Sequence, residues 1–148
     1  MRKQVLMSLI SLSLLVFLGG SSARAQVIGE VEAKIPFNFY AGNTRLPAGK
    51  YFIKVLDDSS LSVMEISSAN GRTSALFDVR DSQANANPPK DELIFDKYGN
   101  QYFLAKVYEQ GNKYGSAVEE SRYEKRTAKD GAKAETRSVP CRRRSAKR

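Results

Sequence analysis

The chain has 148 residues, a formal net charge of +8, one cysteine and no histidine. Without histidine the commonest general base and metal ligand is missing, and a single cysteine excludes an internal disulfide and a Cys/His zinc site. The positive charge lies at the end of the chain, because residues 125–148 hold 10 Lys and Arg against 2 Asp and Glu, whereas residues 26–124 hold 11 against 14. We therefore expect a slightly acidic domain followed by a basic tail.

The N-terminus is typical of a secretory signal peptide. Arg2 and Lys3 precede an uncharged apolar stretch at 5–18, and residues 23–25 form a small-x-small cleavage site. As a helix the apolar stretch covers about 21 Å, less than the ~30 Å hydrocarbon core of a bilayer, which disfavours a membrane anchor. The sequence predicts cleavage before Gln26, export to the periplasm or the extracellular space, and no transmembrane segment afterwards.

The first predicted strand is residues 31–40, where apolar and polar residues alternate strictly. A period of two with one apolar face is typical of a half-buried strand. Pro36 removes one donor from the ladder, so we expect this strand to lie at an edge or to bend there. Turns follow at 41–44 and 46–49, before the second strand.

Two turns fix the register of a meander over residues 51–79. The Asn-Gly dipeptide at 70–71 predicts a tight hairpin that pairs Met64 with Phe77. A four-residue loop at 57–60 would pair Ile53 with the same Met64. Both registers place one set of side chains on one face, which is therefore the predicted core face. Its members are Tyr51, Ile53, Val55, Met64, Ile66, Ala75, Phe77 and Val79.

A second hairpin is predicted after a polar loop at 81–90. Strands at 92–97 and 101–108 flank a Gly-Asn turn and pair Phe95 with Leu104. Both faces of this hairpin are partly apolar, so we expect it to be covered on both sides.

Residues 109–116 read as loop, and the end of the chain has two further features. Ser121 and Glu124 fit a capping box, which favours a short helix. Residues 125–148 contain almost no large apolar side chains, so we expect them to be disordered. The predicted organisation is a signal peptide at 1–25, one all-β domain at 26–124 and a disordered basic tail at 125–148. The predicted fold is a small antiparallel β-sandwich or partly open barrel of about six strands, with a possible short C-terminal helix.

The candidate functional residues favour binding over catalysis. Tyrosines at the second hairpin could bind a sugar or a peptide through their flat rings and polar tips, or simply pack across strands. Clustered arginines in the tail could bind an anionic polymer, and Cys141 could form an intermolecular disulfide. The binding candidates are Tyr98, Tyr102, Tyr108, Arg142, Arg143 and Arg144.

We predict no catalytic residue, no metal, no cofactor and no specific nucleic-acid partner. The leading hypothesis is an exported, non-enzymatic β-domain that binds an envelope component, a glycan or a protein, or has a structural role in the cell envelope. One alternative is association with anionic surface polymers through the basic tail. The other is a hydrolase that uses paired carboxylates. Its candidates are Asp57 with Asp58, Asp78 with Asp81, and Asp91, Glu92 and Asp96.

Four segments together resemble an uncharacterised family of small exported bacterial all-β proteins. The segments are IPFNFYAG, LPAGKYFIKV, LIFDKYGNQYFLAKVY and SRYEKR. The resemblance covers about residues 31–126 and rests on an aromatic strand, an LPAG-x-Y turn and strand, an Asn-Gly hairpin and a YG-x-x-YFL hairpin. It implies no activity, cofactor or catalytic residue, and the basic end with Cys141 lies outside it.

Overall fold

The structure is a computed structural model. The residues that it describes are 30–56, 63–84, 90–110, 114–130 and 133–144, without the side chains of Gln83 and Ala84. The predicted signal peptide and the predicted loop at 57–60 lie outside the described residues.

The described residues form ten strands and one helix. The strands are β1 (Glu30–Ile35), β2 (Phe39–Ala41), β3 (Thr44–Leu46), β4 (Gly49–Val55), β5 (Val63–Ser68), β6 (Ser74–Ala84), β7 (Glu92–Tyr98), β8 (Gln101–Tyr108), β9 (Tyr114–Val118) and β10 (Glu135–Arg144). The helix, α1, is Arg122–Lys129.

Eight strands form a closed antiparallel barrel. Their order is β1-β4-β5-β6-β9-β8-β7-β10, and β10 pairs again with β1. The hairpin of β2 and β3 is attached outside this ring, because β2 pairs in parallel with β8 at Tyr40 and Phe103. The prediction of an all-β fold is confirmed. The predicted sandwich or partly open barrel of about six strands is a coarser description than the closed barrel of eight strands with two additional strands.

Two long strands turn the corners of the barrel by changing partners. β6 pairs with β5 as far as Asp78 and with β9 from Val79 onwards. β10 pairs with β7 as far as Pro140 and with β1 from Cys141 onwards. Pro140 therefore lies at a changeover, where a strand tolerates a residue without an N–H group.

The predicted core face points into the barrel. Tyr51, Ile53 and Ile66 are at most 2% exposed, and Leu56 and Leu76 on the reverse face are at least 50% exposed. The largest fully buried side chains come from strands of the ring and from the β2–β3 hairpin. They are Tyr51, Phe39, Phe95, Phe103, Ile35, Leu46, Ile53, Ile66, Leu93, Leu104, Val31 and Val107. Of these, Phe103 lies outside the central cluster.

The predicted Asn-Gly turn gave the correct register of β5 against β6. The predicted four-residue loop at 57–60 gave the wrong register of β4 against β5. Met64 pairs with Phe77 as predicted, whereas Ile53 pairs with Ile66 instead of Met64. The Leu56 N–H donates to the Val63 carbonyl oxygen at 3.0 Å, so the connection is six residues long and not four. A shift of two residues keeps every side chain on its face, which is why the core prediction survived a wrong pairing.

The predicted strand at 31–40 is two strands. β1 ends at Ile35, immediately before Pro36, and β2 begins at Phe39 beside β8 on another part of the barrel. The predicted bend at Pro36 is confirmed. This bend moves the chain from the side of β4 to the side of β8. The uninterrupted alternation of apolar and polar residues did not indicate this change of partner.

The prediction of a disordered tail was wrong for residues 135–144. Strand β10 fills the gap between β7 and β1 and so closes the barrel. Only Val139 is buried, and the remaining residues are held mainly by the backbone ladder. Composition indicated disorder because it reflects only how little apolar surface the segment can bury. It cannot detect a strand that is held by backbone pairing with the open edges of β7 and β1.

The predicted capping box is confirmed at helix α1. The Ser121 Oγ accepts a hydrogen bond from the Glu124 N–H at 3.1 Å, and the Glu124 carboxylate accepts one from the Ser121 N–H. With eight residues, this helix is far too short and too polar to cross a membrane, and the described residues contain no other helix.

Candidate binding cleft

A cleft of about 390 Å³ lies at one end of the barrel, between the β7–β8 turn and the β2–β3 hairpin. We call it the aromatic cleft. It combines three ring side chains with three amides and one guanidinium. The lining residues are Phe37, Asn38, Tyr40, Arg45, Asn100, Gln101 and Tyr102.

Backbone features bring the two walls of the cleft together. The break at Pro36 turns Phe37 and Asn38 away from β1, and the parallel pairing of Tyr40 with Phe103 fixes β2 against β8. On the opposite wall the turn before Gln101 requires a positive φ, which Gly99 supplies at 60°. The cleft is thus built on paired strands and a tight turn.

The aromatic side chains support one another. Phe37 and Tyr102 stack with ring centroids 3.9 Å apart and an interplanar angle of 14°. The edge of this pair meets the core, because Phe37 and Phe95 pack perpendicularly at 5.1 Å. Tyr40 stacks on the buried Phe103 at 5.0 Å. Each tyrosine therefore has one ring face covered by an internal neighbour, which holds its orientation without a ligand.

The polar groups of the cleft are only partly satisfied. The Asn38 Oδ1 accepts a hydrogen bond from the Ala48 N–H at 2.9 Å, which leaves its amide NH₂ group to donate. The Gln101 Oε1 is buried and has no hydrogen-bond partner. Within the described residues, Arg45 forms no ion pair. The cleft therefore offers amide donors and a positive charge.

Helix α1 covers the outer side of the same strands. Tyr123 packs against Tyr40 at 5.1 Å and against Phe103 at 5.9 Å, and the Tyr40 and Tyr123 hydroxyls form a hydrogen bond. Tyr98 packs perpendicularly on Phe103 at 5.8 Å. Phe103 is thereby only 1% exposed, which confirms that the second hairpin is covered on both sides.

Three carboxyl groups lie near one another around this helix. Burial, followed by the negative charges of Asp96 and Glu120, raises the pKa of Glu124 to about 7. Burial also raises the pKa of Asp96. The Glu124 Oε1 is buried without a hydrogen-bond partner. Asp96, Glu120 and Glu124 do not line the aromatic cleft.

The three candidate tyrosines do not form one site. Tyr102 lines the aromatic cleft, and Tyr98 belongs to the cluster under helix α1. Tyr108 is only 9% exposed and lies against Gly115 of β9. Only Tyr102 combines an aromatic face with access to a cleft.

The three candidate arginines form cross-strand ion pairs in the barrel wall. Arg142 lies 2.7 Å from the Glu32 carboxylate, Arg144 lies 3.2 Å from that of Glu30, and Arg143 lies 3.7 Å from that of Glu109. Arg142 remains 75% exposed at its side chain. Their charges are therefore largely balanced within the protein.

Cys141 is half-buried beside three carboxyl groups. Burial, followed by the charges of Asp91, Glu109 and Glu92, raises the pKa of its thiol to about 12. A thiol with so high a pKa is a poor nucleophile in disulfide exchange.

The candidate carboxylates of the hydrolase alternative do not line the aromatic cleft. Asp78 and Asp81 are exposed, Asp91 accepts a hydrogen bond from the Gln110 N–H, and Glu92 accepts one from the Ser138 hydroxyl at 2.6 Å. Within the described part of the chain, no three Cys, Asp or Glu side chains come together as metal ligands do.

A second cleft, of about 330 Å³, opens at the same end of the barrel. We call it the turn cleft, because the Asn-Gly turn and the turn at 47–49 line it. Tyr51 supports its base by donating a hydrogen bond to the Pro47 carbonyl oxygen at 2.7 Å. The hydrogen bond from the Ala48 N–H to Asn38 joins the two clefts, since Ala48 lines one and Asn38 the other.

Six of the seven residues of the aromatic cleft were not predicted as site residues. Phe37, Asn38 and Tyr40 are separated from Asn100 and Gln101 by about 60 residues of chain. A single residue pair, Tyr40 with Phe103, joins the two segments in parallel, and nothing in either segment indicates the other. A comparison of the chain with protein-family models, curated proteins and solved structures gives no match, so the resemblance noted above stays a prediction.

Proposed function

We propose that this protein is an exported, non-enzymatic binding domain that takes a saccharide of the cell envelope in the aromatic cleft. The observation that carries the proposal is the composition of this cleft, in which preordered rings stand beside amide groups with free hydrogen-bonding capacity. A pyranose has apolar C–H faces that suit aromatic rings and hydroxyl groups that both donate and accept. The predicted signal peptide supports an envelope location.

The interior of the barrel supports this choice of site. Tyr51, Phe39 and Phe95 are among the side chains that fill it, as in other small barrels whose strands leave no wide lumen. A ligand is therefore best accommodated at the end of the barrel. The cleft contains no carboxylate, so it favours binding over acid–base catalysis.

The proposal is tested by nuclear magnetic resonance on residues 26–148, which include every described residue. Neutral and acidic oligosaccharides are titrated, and the amide shifts of Asn38, Asn100 and Gln101 are followed. Saturable shifts confined to this end of the barrel are expected. Tyr102→Ala should weaken binding at least tenfold, whereas Tyr98→Ala, outside the lining, should change it little.

Binding by Tyr102→Ala with unchanged affinity would place the ligand elsewhere. Thermal unfolding of both tyrosine variants controls for stability, since each residue packs against another ring. Export itself is tested by N-terminal sequencing of the secreted protein, which should begin at Gln26.

A further inference from the structure

We infer that the aromatic cleft and the turn cleft act as one groove for an acidic glycan chain, whose carboxylates Arg45 and Arg72 recognise. This inference rests on the proposed function and adds to it the charge and the length of the ligand. Each cleft contributes one of the two arginines. The clefts adjoin at the hydrogen bond between Ala48 and Asn38.

The charge of the ligand follows from the arginines. Within the described residues, neither Arg45 nor Arg72 lies in an ion pair with a carboxylate. The arginines of β10 contrast with them, because Arg142, Arg143 and Arg144 each have an acidic partner in the protein. A guanidinium beside a cleft and without an internal partner favours a carboxylate from outside, which it can bind through two parallel hydrogen bonds.

The saccharide character follows from the amides. A carboxylate accepts hydrogen bonds only, so it cannot pair with an amide oxygen of the lining, which needs a donor. A hydroxyl group can donate to an amide oxygen and can accept from an amide NH₂ group, such as that of Asn38. A ligand with both hydroxyls and carboxylates meets all these groups, and a polymer of uronic acids is such a ligand.

The length of the ligand follows from the second cleft. The turn cleft has a polar rim at Ser68 and Thr73, where the Ser68 Oγ accepts from the Thr73 N–H at 3.0 Å. Its other cation, Lys50, is already bound to Glu32 at 2.9 Å. Arg72 is therefore the cation of this cleft that is available to a ligand. A chain occupying both clefts would meet one unpaired arginine in each.

The experiment compares tetragalacturonic acid, its neutral methyl ester and monomeric galacturonic acid by isothermal titration calorimetry. The acidic tetramer should bind about tenfold to hundredfold more tightly than the ester, the difference expected for losing charge-assisted hydrogen bonds. Arg45→Gln and Arg72→Gln should each weaken binding of the acidic tetramer about tenfold, and added salt should weaken it further. Arg80→Gln is the matched control, because Arg80 is exposed and lines neither cleft.

Monomeric galacturonic acid should respond to one of the two arginine substitutions at most, since it can occupy only one cleft. Equal binding of acid and ester overturns the inference and leaves the proposed function standing. Failure of every oligosaccharide to bind overturns both. Triglutamate that binds as tightly as the acidic tetramer would show that the groove recognises acidic peptides, and would overturn the saccharide part.

Discussion

Gly115 lies where β9 passes under the ring of Tyr108. A Cβ atom at this position would be 2.4 Å from the Tyr108 Cε1, closer than any real contact. Because Tyr108 is buried, its ring has little room to move. We expect Gly115→Ala to lower the free energy of unfolding by about 1–3 kcal/mol, the usual cost of overpacking, as measured by urea denaturation.

Gly49→Ala is the control for Gly115→Ala, since its Cβ would meet Tyr51 at an ordinary 3.5 Å. Combining Gly115→Ala with Tyr108→Leu should restore part of the loss, because the two substitutions affect one contact. A Gly115→Ala variant as stable as the Gly49→Ala variant would contradict this packing.

Cys141 lends itself to a kinetic prediction. With a thiol pKa of about 12, roughly one molecule in ten thousand is a thiolate at pH 8, against about one in ten at the ordinary value of 9.0. We expect a disulfide reagent to react with the native protein about a thousandfold more slowly than with protein in urea. The same property disfavours the predicted intermolecular disulfide. Protein prepared without reductant should therefore run as a monomer on a non-reducing gel, and a dimer there would contradict this account.

Helix α1 should make stability dependent on pH. Glu124 titrates near 7 in the folded protein and near 4.5 in its ordinary state, so the folded form holds its proton more tightly. The contribution of Glu124 to the free energy of unfolding is complete below about pH 4.5. It is lost as the pH rises through about 7, and its total is about 3 kcal/mol. Urea denaturation should therefore show falling stability between pH 5 and pH 8.

Glu124→Gln should flatten this decline and raise stability at pH 8, because an amide stays neutral beside Asp96 and Glu120. Some decline should remain, since burial also raises the pKa of Asp96 and Glu109. Glu119→Gln removes the same charge from an exposed position and should leave the slope unchanged. An equal effect of the two substitutions would show that Glu124 is not the titrating group.

Strand β10 contributes to the barrel mainly through its backbone. Deleting residues 135–148 removes the ladders to β7 and β1 and opens the barrel, so we expect loss of cooperative unfolding. Replacing Arg142, Arg143 and Arg144 together by Gln removes their ion pairs, the Arg143 hydrogen bond to the Gln110 carbonyl oxygen and the Arg144 contact with the Phe52 ring. It keeps the backbone ladders, so it should lower stability but leave unfolding cooperative. Circular dichroism and urea denaturation distinguish the two variants.

The same pair of variants bears on the alternative of binding through the basic tail. Truncation would abolish binding by unfolding the protein, whatever the role of the charges. The triple Gln variant keeps the strand, so its binding to an anionic polymer tests the charges alone. A truncated chain that still unfolds cooperatively would show that β10 is dispensable and would revive the prediction of a free tail.

Short sequence motifs predicted the features that nearby residues determine. The Asn-Gly turn fixed the pairs of β5 and β6 because Gly71 supplies the positive φ of 69° that the turn needs. The strand β9 was missed because Gly115 and Ser116 have low strand propensity and owe their place to β6 and β8. The aromatic cleft was missed for a similar reason, since Tyr40 reaches it through one parallel pair with β8. Strand β9 and the aromatic cleft both depend on strands that are distant in the sequence, and a single sequence does not indicate which strands pair.

At the scale of the whole molecule, the two ends of the described fold are neighbours. Glu30 and Arg144 face each other in the antiparallel pair of β1 and β10, and their side chains lie 3.2 Å apart. Two residues suffice to join adjacent antiparallel strands. The two ends of the described chain could therefore be joined by a short linker and the chain opened elsewhere, without a change in how the strands pair.

A circular permutant tests this geometry. An Asn-Gly linker joins Arg144 to Glu30, and the new ends lie within residues 85–89, between β6 and β7. We expect a native near-ultraviolet circular dichroism spectrum and a stability within about 2 kcal/mol of the parent, because no ladder is cut. A second permutant with its new ends between Ala33 and Lys34 cuts β1 within its ladders to β4 and β10, and should not fold. If the first permutant were unfolded as well, β1 and β10 would not be neighbours and the barrel would not close through the C-terminal strand.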